Sequence, residues 1–204
     1  MTQRLGLIVT DASPLITLGA ARALSCLLMP RVQVLIPDMV YAEVTRDMAK
    51  LGAEEIVEWL QANRGPVQIA PTTIYAEFEA LLTINPQTRS EDRGERAALE
   101  VLGYETARDP ELQAMLLFED TDIRSRQFVR LLPERATAIS TGDFLHELEA
   151  AGRIQSADHI LDEAASRGRN VEKQRQPIAG EVARAPLREQ LTRHDEPPEP
   201  DRSR

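Results

Sequence analysis

The chain has 204 residues, 42% of them hydrophobic, enough for one ordinary domain, alone or with an extension. Its 24 basic and 33 acidic side chains give a net charge of -9, which argues against a protein built around a broad basic nucleic-acid face. That balance leaves phosphodiester cleavage open, because a site working through divalent cations itself needs clustered carboxylates.

The first strand is predicted over 5–10, and it reaches Asp11 too early for a signal-peptide core. Ser13, with Pro14 behind it, opens a helix predicted over 13–28. The single cysteine, Cys26, lies in the apolar end of that helix and reads as a small core residue with no disulfide partner. A strand over 32–36 follows, then a helix over 38–47 opened by Asp38 after Pro37. The next helix, 53–62, puts Ile56, Trp59 and Leu60 on one packing face. A strand is predicted over 67–69, then helices over 73–82 and 92–102. The remaining elements are a strand over 115–118, a helix over 122–132, a strand over 137–139, and helices over 143–151 and 156–165, the former closed by Gly152. Strands alternating with helices predict the α/β class, with a mostly parallel central sheet flanked by helices on both faces. Chemistry in such folds gathers at the carboxyl ends of the strands.

Composition shifts near residue 167. Residues 167–204 hold five of the 13 prolines, no aromatic residue, nine basic and seven acidic side chains, so this stretch reads as a flexible tail after a domain over 1–166. A weak helical pattern over 178–191, around Glu181, Arg184 and Arg188, interrupts it. The domain itself keeps 15 basic and 26 acidic residues and is more acidic than the whole. No run approaches the ~18 apolar residues of a membrane span, so the expectation is a soluble, cytoplasmic protein with no membrane partner.

Four acids occupy suggestive places. Asp11 directly follows the apolar run Leu7-Ile8-Val9-Thr10, and Asp120 follows Met115-Leu116-Leu117-Phe118-Glu119, and two strand-end acids in one sheet can converge on one crevice. Glu43 lies beside the apolar stripe of Met39, Val40 and Val44, and Glu95 lies in the first turn of its helix. Singly, each has an ordinary reading as turn chemistry, a boundary residue pairing with Arg46, or a complement to the helix dipole.

Together, Asp11-Ala12-Ser13-Pro14-Leu15-Ile16, Ile36-Pro37 running into Val40-Tyr41-Ala42-Glu43-Val44, Gly94-Glu95 before Ala97-Ala98-Leu99, and Phe118-Glu119-Asp120 with Arg124 resemble the four motifs of a PIN-domain ribonuclease. The end of the domain, Ala138-Ile139-Ser140-Thr141 and Ala151-Gly152-Arg153-Ile154, is similar to a subgroup among the VapC-type toxins of toxin–antitoxin pairs. The resemblance spans roughly residues 5–166. It implies a PIN-like fold and a metal-dependent endoribonuclease, with Asp11, Glu43, Glu95 and Asp120 as catalytic and metal-binding acids. It also implies an RNA substrate, a cognate antitoxin and a homodimer. Two departures stand out: Ala97 occupies a place where the subgroup often carries a second acid, and Asp122 competes with Asp120 for the role of fourth ligand.

A crevice holding four carboxylates is costly without cations, and hard oxygen donors at that density favour Mg²⁺ or Mn²⁺. The implied chemistry is in-line attack of an activated water on a phosphodiester. Arg93, Arg96 and Arg124 are the candidate substrate-binding residues; Arg89 and Arg126 flank them, and balancing nearby acids is an equal reading. Three dispersed histidines give no zinc spacing, and no GxSxG, GxxxxGK[ST] or GxGxxG pattern occurs. Two alternatives stand beside the nuclease: a degenerate PIN domain serving as a binding module, and a haloacid-dehalogenase-like phosphatase built on Asp120-Thr121-Asp122.

Overall fold

The computed structural model describes residues 4–90, 92–119, 131–176 and 180–193. Five strands, β1 (Arg4–Thr10), β2 (Gln33–Pro37), β3 (Val67–Ala70), β4 (Leu112–Phe118) and β5 (Ala136–Ser140), form one sheet in the order β3-β2-β1-β4-β5. Every neighbouring pair is parallel. The helices are α1 (Ala12–Ala20), α2 (Asp38–Thr45), α3 (Ala53–Ala62), α4 (Thr73–Ile84), α5 (Arg93–Arg108), α6 (Thr141–Ala150), α7 (Ala157–Ser166) and α8 (Glu181–Arg193). The α/β class with a parallel sheet is therefore as the alternation predicts.

Both sheet faces are covered, and the strand period of two divides the core accordingly. Ile8, Val34, Ile36, Met115, Leu117 and Ile139 join one cluster with Leu15, Leu18, Ile56, Phe144 and Leu161 of the helices. Leu7, Val9, Leu35, Leu116 and Phe118 join a second with Ala98, Val101 and Leu102 of α5. Among the described residues, no helix is long and apolar enough to cross a membrane.

Three differences from the sequence reading have physical causes. The helix predicted over 13–28 stops at Ala20, with a separate 3-10 turn over Leu24–Leu28. There Arg22 adopts φ 53°, and the N–H groups of Arg22 and Ala23 bond the carbonyls of Gly19 and Leu18 at 2.9 and 2.8 Å. This is a left-handed helix stop made without glycine, so no composition signal marks it. The start of α6 moves back to Thr141 because Ser140 caps it: the Asp143 N–H donates to Ser140 Oγ at 3.0 Å, and Ser140 Oγ donates to Asp143 Oδ2 at 2.7 Å. Gly152, at φ 67°, closes this helix as expected. The helix predicted over 122–132 falls almost wholly outside the described residues.

The third difference is the largest. The flexible tail expected from residue 167 is corrected: ordered chain continues through a 3-10 turn at Glu172–Gln174 to α8. Val171, Leu187 and Leu191 are 2%, 0% and 1% exposed and belong to the first core cluster. The buried carboxylate of Glu147 on α6 accepts from Arg188 Nε and Nη2 at 2.9 and 2.8 Å, and Arg184 stands 3.7 Å away. Gly142 admits the 3-10 turn, since a Cβ there would fall 1.8 Å from the Gln174 carbonyl oxygen. Residues 194–204 lie outside the described residues.

Candidate active site

The strand order reverses direction at β1, with β2 leading one way and β4 the other, and the crevice beyond the carboxyl ends of β1 and β4 is where such sheets hold ligands. Asp11 is the first residue after β1. Its N–H donates to the Leu117 carbonyl at 3.0 Å, which ties the residue to β4 before α1 begins. Glu119 is the first residue after β4.

α2 and α5 bring two further acids to this end. A Cβ built on Gly94, in the first turn of α5, would lie 3.3 Å from Asp11 Oδ1 and 3.3 Å from Glu43 Oε2. Those two oxygens are therefore no more than 6.6 Å apart, twice that distance, with bare backbone between them. Any side chain at 94 would press on both carboxylates, which gives the Gly94-Glu95 pair its physical meaning.

The electrostatics follow from this crowding. Burial pushes the Asp11 carboxyl up to about 7, the Ala12 N–H opposes the rise, and the charges of Glu43, Glu95 and Glu119 add to it. No lysine or arginine among the described residues forms an ion pair with Asp11. Burial also raises Glu43, against a pull from Lys50. Glu119 is raised by burial as well, held down by Thr141, Arg169 and Thr17. Its Oε2 accepts from Thr17 Oγ1 at 2.9 Å and from Arg169 Nη2 at 3.0 Å. Its Oε1 is buried and takes no hydrogen bond of ordinary geometry from a described residue.

The described acids are neighbours rather than a closed cage: among the described residues, no three His, Cys, Asp or Glu side chains stand at metal-ligand spacing. Asp120 and Asp122, the expected completing ligands, lie outside the described residues, as do Arg124 and Arg126. The donor chemistry nonetheless fits a hard divalent cation. Asp11, a buried carboxylate with no ion pair to a described basic residue and with further acids beside it, is the environment in which Mg²⁺ or Mn²⁺ lowers the electrostatic cost. Ala97, the missing acid of the sequence comparison, is fully buried against Met39, Ile74 and Phe78, so its place is an apolar contact between helices.

The candidate arginines divide. Arg93 lies 5.4 Å over the ring of Phe78 on α4, and Arg96 is exposed on the same helix. Arg89, spaced i, i+4, i+7 with Arg93 and Arg96 as if on one helical face, precedes α5 and shares no such face with them. Sequence reasoning missed Arg169 altogether. It lies in a stretch that reads as tail, and no local signal ties it to Glu119, 50 positions away, or to Thr17, 152 positions away.

No curated protein and no solved structure matches the chain. One family model does: DUF3368, a PIN domain, over residues 7–109, just over half of the chain. The matched segment contains Asp11, Glu43, Gly94 and Glu95, and ends before β4. With the parallel sheet and three of the motif acids gathered at its switch point, this match shows that the chain belongs to the DUF3368 family of PIN domains, a nuclease-type fold.

Proposed function

We propose that the protein is a metal-dependent endoribonuclease that hydrolyses RNA phosphodiester bonds with Mg²⁺ or Mn²⁺. The observation that carries the reading is the buried Asp11 carboxyl, crowded by Glu43, Glu95 and Glu119 and forming no ion pair with any described basic residue. Bound there, a divalent cation would supply positive charge for the reacting phosphate and lower the pKa of a water. Asp11, Glu43 and Glu95 would hold it, together with Asp120 or Asp122 from the chain that follows β4. Arg96, exposed beside Glu95, offers charge to the RNA backbone, joined by Arg93 and Arg124.

The test is cleavage of a mixed cellular RNA pool by the wild type and by Asp11→Asn, with Mn²⁺ or with EDTA. Cutting that needs the metal and vanishes in the variant is the expected result. Equal rates in the two proteins would sink the assignment of Asp11.

Gly94→Ala makes a sharper prediction. Alanine is the better helix former by ~1 kcal/mol in a helix interior, and the press of its methyl on the two carboxylates acts against that gain, so the melting temperature should stay close to that of the wild type. The added methyl, 3.3 Å from both carboxylates, should nevertheless lower cleavage by about 10-fold or more by moving them. An active Gly94→Ala enzyme would show that this contact does not matter to the site.

We further propose a cytoplasmic toxin of a type II toxin–antitoxin pair, acting as a homodimer. The support is the PIN family together with the acidic crevice, which a cationic antitoxin segment would cover. A monomeric mass by light scattering would remove the dimer, and unrestrained growth on induction of the wild type would remove the toxin.

A further inference from the structure

Beyond α7, the side chain of Arg169 reaches back to Glu119 and to the start of α1. α7 ends at Ser166, and Gly168 takes φ 94°. The N–H groups of Gly168 and Arg169 bond the carbonyls of Ala165 and Ala164 at 2.9 and 3.1 Å, closing a left-handed helix stop that turns the backbone at Arg169. The guanidinium then meets α1 and the end of β4. Its Nε donates to Thr17 Oγ1 at 2.8 Å, and its Nη2 donates to Glu119 Oε2 at 3.0 Å and to the Ser13 carbonyl at 3.3 Å. The Thr17 hydroxyl donates to the same Glu119 oxygen at 2.9 Å.

We propose that Arg169 is a positioning residue for the cation site of the proposed nuclease, fixing Glu119 at the carboxyl end of β4 against the start of α1 beside Asp11. The inference rests on the nuclease reading. Three features separate this role from a surface ion pair. The Arg169 side chain is 23% exposed and that of Glu119 only 5%, so the pair is little screened. The guanidinium engages three acceptors from two elements, a fork geometry that lysine cannot reproduce. Those commitments also leave it poorly placed to grip a phosphate, so an RNA contact is the less economical account. Groups that orient metal-binding acids through hydrogen bonds typically change metal affinity or activity by about 10- to 100-fold when removed.

The experiment uses the full chain. Wild type, Arg169→Ala and Arg169→Lys are compared for kcat and KM on RNA and for the rise in melting temperature with millimolar Mn²⁺. Arg188→Ala, which weakens the α8 anchor at Glu147 without touching Glu119, is the control for general loosening. Arg169→Ala should lose about 10- to 100-fold in kcat with KM within about twofold, and its Mn²⁺ response should shrink. Arg169→Lys should recover part of both, and Arg188→Ala should melt earlier with wild-type kcat. A folded Arg169→Ala protein with wild-type kcat and Mn²⁺ response would overturn the proposal, as would a raised KM at unchanged kcat, which would indicate direct RNA contact. If Arg169→Ala does not fold, Thr17→Val carries the test: reduced kcat supports the role and wild-type kcat overturns it. A wild type that neither cuts RNA nor responds to Mn²⁺ would instead defeat the nuclease reading itself, and the positioning role with it.

Discussion

In EDTA at pH 8, Asp11→Asn is expected to melt on the order of 10 °C above the wild type, although the same substitution abolishes cleavage. The Asp11 carboxyl is raised from 3.8 to about 7 in the folded state. A native pKa above the unfolded value means that the folded protein holds the proton more tightly. The stabilisation this gives is full below about pH 4 and is lost as pH rises through about 7. Above that, the wild type folds against a penalty on the order of 4 kcal/mol for a buried carboxylate among other acids. Asparagine carries none of it, and for a chain of this size each kcal/mol is worth about 2–4 °C. Near pH 4 the two proteins should melt together, because other carboxyls titrate alike in both. Millimolar Mn²⁺ should reverse the order at pH 8, since only the wild type presents the full acid set. Melts from pH 4 to pH 8, with and without metal, check each part. A wild type whose stability relative to Asp11→Asn does not change across that range would mean that Asp11 is solvated or paired in solution.

Such a site is a place where folding and function conflict, and that conflict is what the sequence displays most clearly. Strand-end acids after apolar runs, at Asp11 and after Phe118, were legible because parallel strands buried on both faces leave few reasons for an acid to follow them directly. Glu43 and Glu95 were harder. Each has a routine explanation on its own helix, and only the approach of α5 through Gly94 brings them to Asp11. The strands and most helices followed from apolar periodicity, whereas the stop after α1 did not, since an arginine at φ 53° leaves no mark in composition. The C-terminal segment was misread for a related reason. Its apolar residues are few and widely spaced, so composition suggests a solvated chain, but Val171, Leu187 and Leu191 are each spent on the common core. Arg169 went unnoticed with it, because its partners are fixed by tertiary packing alone.

The same reversal predicts that a chain ending at residue 166 will not fold cooperatively. Losing Val171, Leu187 and Leu191 removes three side chains at most 2% exposed, each worth about 1.5–3 kcal/mol of burial. It also strips Glu147, 4% exposed, of Arg188 and Arg184. Leaving one partner of a buried pair alone costs about 3–5 kcal/mol, less here because the Arg188 side chain is 46% exposed and water screens the pair. Two polar ties go as well: Gln190 Nε2 to the Pro30 carbonyl at 3.0 Å and Arg153 Nη2 to the Leu191 carbonyl at 2.9 Å. Against a total stability of about 5–15 kcal/mol for an ordinary domain, these losses are decisive. Leu187→Ala in the full chain gives the graded version, with an expected cost of about 2–5 kcal/mol and an unchanged urea m-value. The check is urea denaturation followed by circular dichroism for the truncated chain, the point variant and the wild type. A truncated protein unfolding within a few tenths of a kcal/mol of the full chain would make α8 an appendage. The expected result makes it a wall of the domain, and places the residue that grips Glu119 on a segment the core itself requires.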